Sequence, residues 1–216
     1  MSIGDAEIKT QERVIRFFKD PEILGYQYIG NLSDYPNKNI KEDRLRQYLR
    51  LKGYADKLID AAIMQLQQEA GNLSRGVYDA NKTVYSRLKY GIPVSESPEK
   101  PPVTVQLVDE EKPLNNDFAI AEEVTVVEQS EKRPDLVVYL NGIAVAVIEL
   151  KRSSISVSEG IRQNLTNQKN SFIQSFFTTI QFCMAGNESE GLRYGTLLTG
   201  EKFYMEWKDD GFKEHE

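Results

Sequence analysis

Three charged side chains mark the ends of a largely apolar stretch at 135–151: Asp135 before the run Leu136–Leu140, and Glu149 and Lys151 at the end of the run Ile143–Leu150. Unpaired charges beside buried strands cost several kcal/mol each, roughly, so such a set persists when its members pair or bind an ion. Two carboxylates offer hard oxygen ligands of the kind Mg²⁺ takes, with water and phosphate oxygens completing its shell. A divalent ion there lowers the pKa of a bound water and offsets charge growing on phosphorus oxygens. Lys151 is suited to orienting that water or stabilising the pentacovalent state. The reaction such a set points to is phosphodiester hydrolysis.

The elements that must position these groups are two strands. Both runs are β-branched and apolar, as in strands covered on both faces, and Asn141-Gly142 between them tolerates the positive φ of a tight turn. Glu149 and Lys151 are two apart and share one face of the second strand, with Leu150 turned to the other. A strict two-residue loop pairs Asp135 with Ile148 and so separates Asp135 from Glu149. A loop of odd length, such as Leu140-Asn141-Gly142, or a bulge within a strand restores the match. One of these is therefore predicted.

Pro134-Asp135 followed by Glu149-Leu150-Lys151 resembles the PD-(D/E)xK nuclease signature. Its surroundings, Arg-Pro-Asp-Leu-Val-Val-Tyr-Leu-Asn-Gly and then Val-Ile-Glu-Leu-Lys, resemble the N-terminal nuclease region of type I restriction enzyme R subunits. The helix-then-Leu24-Gly25-Tyr26 opening and the Asn116-Asp117-Phe118 segment extend that likeness. The resemblance implies an α/β, restriction-endonuclease-like core, a mixed β-sheet flanked by helices. It implies a Mg²⁺-dependent endodeoxyribonuclease acting on double-stranded DNA without sequence specificity of its own. Asp135 and Glu149 would hold the metal together with the Leu150 backbone carbonyl, and Lys151 would assist the water. The implied partners are an ATP-driven motor region of the same subunit and separate methylation and specificity subunits. No Walker loop is present: 195–202 lacks the Gly-Lys-Ser/Thr ending and reads as a strand and turn, so ATP concerns only the motor.

Auxiliary candidates follow. Thr10 reads as the N-cap of a helix over 10–19, which makes Glu12 either a compensator of the helix dipole or, by the resemblance, an auxiliary metal ligand. Ser156 and Glu159 form a capping box that opens a helix to about Lys169. Related nucleases carry a glutamine on this helix; the count from Glu149 favours Gln163 and the helical phase favours Gln168. Arg152, Arg162 and Lys169 are the nearest basic groups for phosphate, each equally readable as a solvated charge. Glu122 and Glu123 read as surface carboxylates.

The 216 residues suit one domain, with a helical insertion at about 41–90 (two helices broken at Gly53) and a catalytic core at about 103–208. Strands are expected over 24–32, 103–108, 118–127, 176–185, 192–198 and 203–207, with Phe177, Phe182, Tyr204 and Trp207 as packing aromatics. The Pro-rich stretch 93–102 reads as a surface loop. Net charge is −6, so a grip on DNA requires locally clustered basic residues or help from other parts of an assembly. One cysteine, Cys183, excludes an internal disulfide, and no apolar run is long enough for a membrane span; a cytoplasmic location is expected. Two other readings stand: a non-catalytic docking domain that keeps the fold, and a stand-alone resolvase or repair nuclease.

Overall fold

The computed structural model describes residues 3–97 and 99–208; the polar tail from 209, with His215, lies outside them. Among the described residues the chain runs α1 (Ile3–Lys19), β1 (Gln27–Asn31), α2 (Glu42–Leu51), α3 (Asp56–Gly71), α4 (Val77–Tyr90), β2 (Ile92–Val94), β3 (Val103–Val105), β4 (Phe118–Glu122), β5 (Val126–Val127) and β6 (Glu131–Lys132). It continues as β7 (Leu136–Leu140), β8 (Ile143–Leu150), α5 (Val157–Asn167), β9 (Phe182–Asn187), β10 (Gly191–Gly195) and β11 (Met205–Glu206). Seven of these strands form one mixed sheet in the order β1-β4-β7-β8-β9-β10-β11. β1 is parallel to β4 and β8 parallel to β9, while the other neighbours are antiparallel. This is the α/β restriction-endonuclease-like arrangement that the sequence leads one to expect.

The sheet is buried on both sides. On one face Ile120, Leu136, Val138, Ile148 and Leu150 pack with Ile15 of α1. On the other, Ala121, Val137, Tyr139 and Val147 pack with Phe176 and Phe177, and α5 lays Val157 and Ile161 against Ala185. Helices α2 to α4, inserted between sheet neighbours β1 and β4, have a core of their own around Leu45, Leu49, Ile59, Leu66 and Val84, which reaches the sheet at Ile143. The insertion is tied to the β7–β8 turn by Lys41 N–H to Gly142 O at 2.7 Å and Ala144 N–H to Asn39 O at 2.8 Å.

Several expectations change. α1 begins well before Thr10, which is buried inside the helix and donates to Glu188 Oε1 at 3.3 Å, so it caps nothing. α4 takes up most of 72–92, where only 84–88 carried a helical signal; its apolar positions Val77, Ala80, Val84 and Leu88 do recur at helical spacing. The expected strand 118–127 breaks at Glu123, whose φ is 51°. The expected strand 176–185 is a 3-10 turn followed by β9, because Phe176 and Phe177 plug the core beneath the sheet instead of alternating in it. Phe182 and Trp207 lie exposed at the sheet's β9–β11 edge; Phe177 is buried. The surface-loop reading of 93–102 changes at its start, where Pro93 and Val94 lie in β2, which pairs antiparallel with β3. No helix among the described residues is long and apolar enough to cross a membrane.

Candidate active site

The site begins at the hairpin turn. Asn141 (φ 52°) and Gly142 (φ 83°) form the two-residue loop between paired Leu140 and Ile143, with both φ values positive as a type I′ turn requires. Asn141 is fully buried; its amide donates to Leu107 O at 2.8 Å and its Oδ1 accepts from Asp117 N–H at 2.7 Å. The turn alone would set Asp135 opposite Ile148. Instead the register moves by one between Val138, opposite Ala146, and Tyr139, opposite Ala144. Val145 is the extra residue, its carbonyl accepting from Gln181 N–H at 2.7 Å. The bulge alternative is therefore the one the protein uses, and the register beyond it places Asp135 across from Glu149.

Both carboxylates then share the face that α5 covers, as alternation with Val137 and Val147 dictates. Asp135, half-buried, accepts from Leu150 N–H through Oδ2 at 2.6 Å. Glu149 has no exposed surface. Gly160 of α5 is what admits it: a Cβ at Gly160 would lie 3.0 Å from Ala185 Cβ and 3.5 Å from Glu149 Cβ, so the helix backbone rests directly on the strand. Helix α5 starts at Ser156, whose Oγ accepts from Ser158 N–H at 3.3 Å; the Glu159 carboxylate turns to Arg162 and leaves the reciprocal half of the capping box unmade. One turn beyond Gly160, Gln163 donates its amide to Glu149 Oε2 at 2.5 Å.

Glu149 Oε1 is buried and receives no donor, and Asp135 lies close enough to share a proton with the Glu149 carboxyl. Burial pushes the Glu149 carboxyl well above the ordinary carboxylate range, the Asp135 charge raises it further, and Lys151 opposes both. Such a group resists ionisation unless a nearby cation offsets its charge. Lys151 is half-buried at the end of β8, its N–H donating to Gly186 O at 2.9 Å. Among the described residues no group of three His, Cys, Asp or Glu is arranged to hold a metal, so Asp135 and Glu149 are the protein carboxylates on offer.

Of the remaining candidates, the fold brings Gln163 to the site and takes Gln168 elsewhere. Gln168 is buried, but its amide meets Cys183 Sγ at 3.4 Å and its Oε1 accepts from Leu198 N–H at 2.7 Å. Helical phase identified an inward position correctly and attached it to the wrong neighbour, because the far end of α5 lies over β9 away from Glu149. Glu12 is exposed in a groove with Lys9, Arg13 and Arg16, while the adjacent Gln11 turns inward. Arg162 is engaged by Glu201 at 2.8 Å and Glu159 at 2.9 Å. Lys169 is exposed beyond the far end of α5, and Arg152 is half-buried next to Lys151.

Two acids read as surface groups are not free ones. Glu122 accepts from Tyr28 Oη at 2.6 Å and from Gln11 Nε2 at 3.0 Å. Glu123 accepts from Gln11 Nε2 at 3.2 Å and from Arg133 Nε at 2.9 Å, and its N–H donates to Asp135 O at 2.8 Å. Its charge adds to the pressure on Glu149. A positive φ at a glutamate is the structural mark of this position, and no sequence signal announces it.

A mixed sheet covered by helices on both faces, with opposed carboxylates where its central hairpin ends, places the protein in the restriction-endonuclease-like class. The chain belongs to the family of the type I restriction enzyme R protein N terminus, whose profile matches residues 7–203. It is also 25% identical over 202 residues to a protein of Methanocaldococcus jannaschii described as "Putative type I restriction enzyme MjaIXP endonuclease subunit". That match covers 86% of this chain and 19% of the relative, so the chain spans about a fifth of the relative's length.

Proposed function

We propose that this chain is the Mg²⁺-dependent nuclease part of a type I restriction R subunit and hydrolyses phosphodiester bonds of double-stranded DNA. The observation that carries the reading is the Glu149 carboxylate: fully buried, one oxygen held by Gln163, the other without a donor, and Asp135 across from it. An interior that packs two acids together, at a cost of several kcal/mol, roughly, for an uncompensated charge, calls for a cation. Asp135 and Glu149 would hold it, with the Leu150 carbonyl as a third oxygen. Two carboxylates with water and phosphate oxygens filling the rest of the shell is the habit of Mg²⁺.

When bound, the ion supplies a lowered water pKa and Lewis-acid offset of charge on the phosphate. The chain's own groups do the rest. Gln163 holds Oε2 of Glu149 and leaves Oε1 as the oxygen that would ligate the ion. Lys151, on the same strand face as Glu149, donates to the attacking water or to the phosphate oxygen that gains charge. Selection of the DNA site, translocation and ATP hydrolysis belong, in this reading, to the motor region and the methylation and specificity subunits.

Metal binding tests the reading directly. Mg²⁺ or Mn²⁺ is expected to raise the melting temperature of the chain, since a ligand at a hundred times its Kd stabilises by about 2.7 kcal/mol, and Asp135→Ala is expected to remove the shift. A wild-type melting temperature indifferent to millimolar Mg²⁺ and Mn²⁺ would leave only a docking domain.

The pH dependence without metal has a definite sign. The folded Glu149 keeps its proton to higher pH than the unfolded chain, whose value is near 4.5. The native state thus binds more protons in that window, and the group's contribution to stability falls as pH rises from the ordinary carboxylate range through the raised folded value. In EDTA, Glu149→Gln should melt above wild type by a margin that widens from pH 5 to pH 8. Parallel melting curves against pH for the two proteins would contradict the assignment of a raised Glu149.

A further inference from the structure

The helical insertion is charged opposite to the rest of the chain. Residues 41–90 hold ten Lys and Arg against six Asp and Glu, within a protein of net charge −6. Half of those cations are committed: Arg44 to Asp117 at 2.6 Å, Arg46 to Glu42 and Asp60, Arg50 to Asp56, Lys52 to Asp109 and Arg87 to Glu69 at 2.7 Å. Lys82 and Lys89, both on α4, make no ion pair among the described residues.

These lysines are exposed and share a helix face with two large exposed aromatics, Tyr78 (58% exposed) and Tyr85 (49%). The order Tyr78, Lys82, Tyr85, Lys89 steps by four, three and four residues, which is one face of a helix, about 16 Å long at 1.5 Å per residue. Tyr90 continues the aromatic surface with the Lys89 ammonium 5.5 Å from its ring centroid. Asp79 flanks the stripe as its acidic neighbour. The opposite face of α4 is anchored: Val77, Ala80, Val84 and Leu88 are buried, and the Asn81 amide donates to the carbonyls of Phe177, Thr178 and Ile180 at 2.8–3.2 Å. The stripe is therefore a rigid platform.

We propose that this outward face of α4 binds the phosphodiester backbone of duplex DNA, with Lys82 and Lys89 on phosphates and Tyr78 and Tyr85 packing against sugars while their hydroxyls reach phosphate oxygens. Charge complementarity selects the occupant. An acidic chain gains a grip on a polyanion only where cations are gathered without acidic partners, and phosphate contacts from Lys, Arg and Tyr are the common currency of backbone positioning. The inference rests on the DNA-directed reading above for the nature of its ligand, and adds a contact surface on a different element from the carboxylates.

The test is fluorescence anisotropy of a short labelled duplex of arbitrary sequence with the intact chain, in EDTA, across a salt series. For Lys82→Gln with Lys89→Gln, the slope of log K against log salt should shrink by about 1.8, from a loss of about 0.9 per phosphate contact, and binding should weaken about tenfold or more near 0.1 M salt. Tyr78→Ala with Tyr85→Ala should weaken binding with little change of slope. Wild-type affinity and slope in both double variants would overturn the proposal, as would absence of duplex binding by the wild type. Variants that keep duplex binding but lose association with the motor region would assign the face to a protein partner instead. Duplex binding that depends on the stripe, in a chain whose melting ignores Mg²⁺ and Mn²⁺, would sink the catalytic reading and leave this one standing.

Discussion

On the proposed function, Glu149→Ala and Lys151→Ala in a complete R subunit assembled with its partner subunits are each expected to abolish DNA cleavage, by about 10²–10⁴-fold, while ATP hydrolysis by the motor continues. The magnitude is that of removing one group which stabilises charge developing in the transition state. Glu149 provides half of the carboxylate set, and no third acid is arranged to replace it among the described residues. Lys151 opposes the pressure that burial and Asp135 put on Glu149, so its loss both removes a donor and weakens the ionised form of the site. Loss of fold is separable: Glu149→Gln preserves volume and takes away a buried charge, so it should melt no lower than wild type and still fail to cut. Cleavage at the wild-type rate in either alanine variant would withdraw the catalytic assignment.

The second large effect is on stability. Gly142→Ala should destabilise the protein by about 3 kcal/mol, as the sum of a left-handed backbone cost of about 1–2 kcal/mol and an overpacking cost of about 1–3 kcal/mol. At φ 83° an added Cβ would sit 2.7 Å from Lys41 O, 2.8 Å from Leu45 N and 2.9 Å from Arg44 Cβ. Those atoms are mostly backbone at the start of α2 and cannot swing aside, so the substitution should loosen the insertion from the hairpin. For a chain of this size each kcal/mol moves the melting temperature by about 2–4 °C, and a fall of about 6–12 °C is the expected reading. Gly53→Ala is the control, since its added Cβ would meet nothing within 4 Å although φ is also positive. Equal losses at the two positions would mean that backbone strain alone accounts for Gly142.

Much of the site was legible in the residues because its signals are local. The Asn141-Gly142 turn, the two apolar runs and the charges at their outer ends are written consecutively, and the strands appear at Leu136–Leu140 and Ile143–Leu150 as read. The helix break at Gly53 and the Ser156 cap are likewise short-range features. Other features are settled by distant partners. Thr10 looked like a cap and is a buried helical residue facing Glu188. Glu123 looked like a strand residue on the surface, and instead turns the chain between Arg133 and Gln11. Gln168 had the right phase to face inward, and inward at its end of α5 means Cys183.

By itself, then, the order of residues determined which segments pair, where the turn falls and which strand end carries the acids, since turn chemistry and alternation act over a few positions. Only the tertiary structure decided that Asp135 and Glu149 meet. In the Ala-Val-Ala-Val run any residue could have been the one squeezed out of register, and it is the docking of Gln181 onto Val145 and of α5 onto Glu149 that accompanies the chosen slip. A shift of one residue reverses every side chain of a strand, so a contact outside the hairpin decides whether two carboxylates face each other or opposite sides of the sheet.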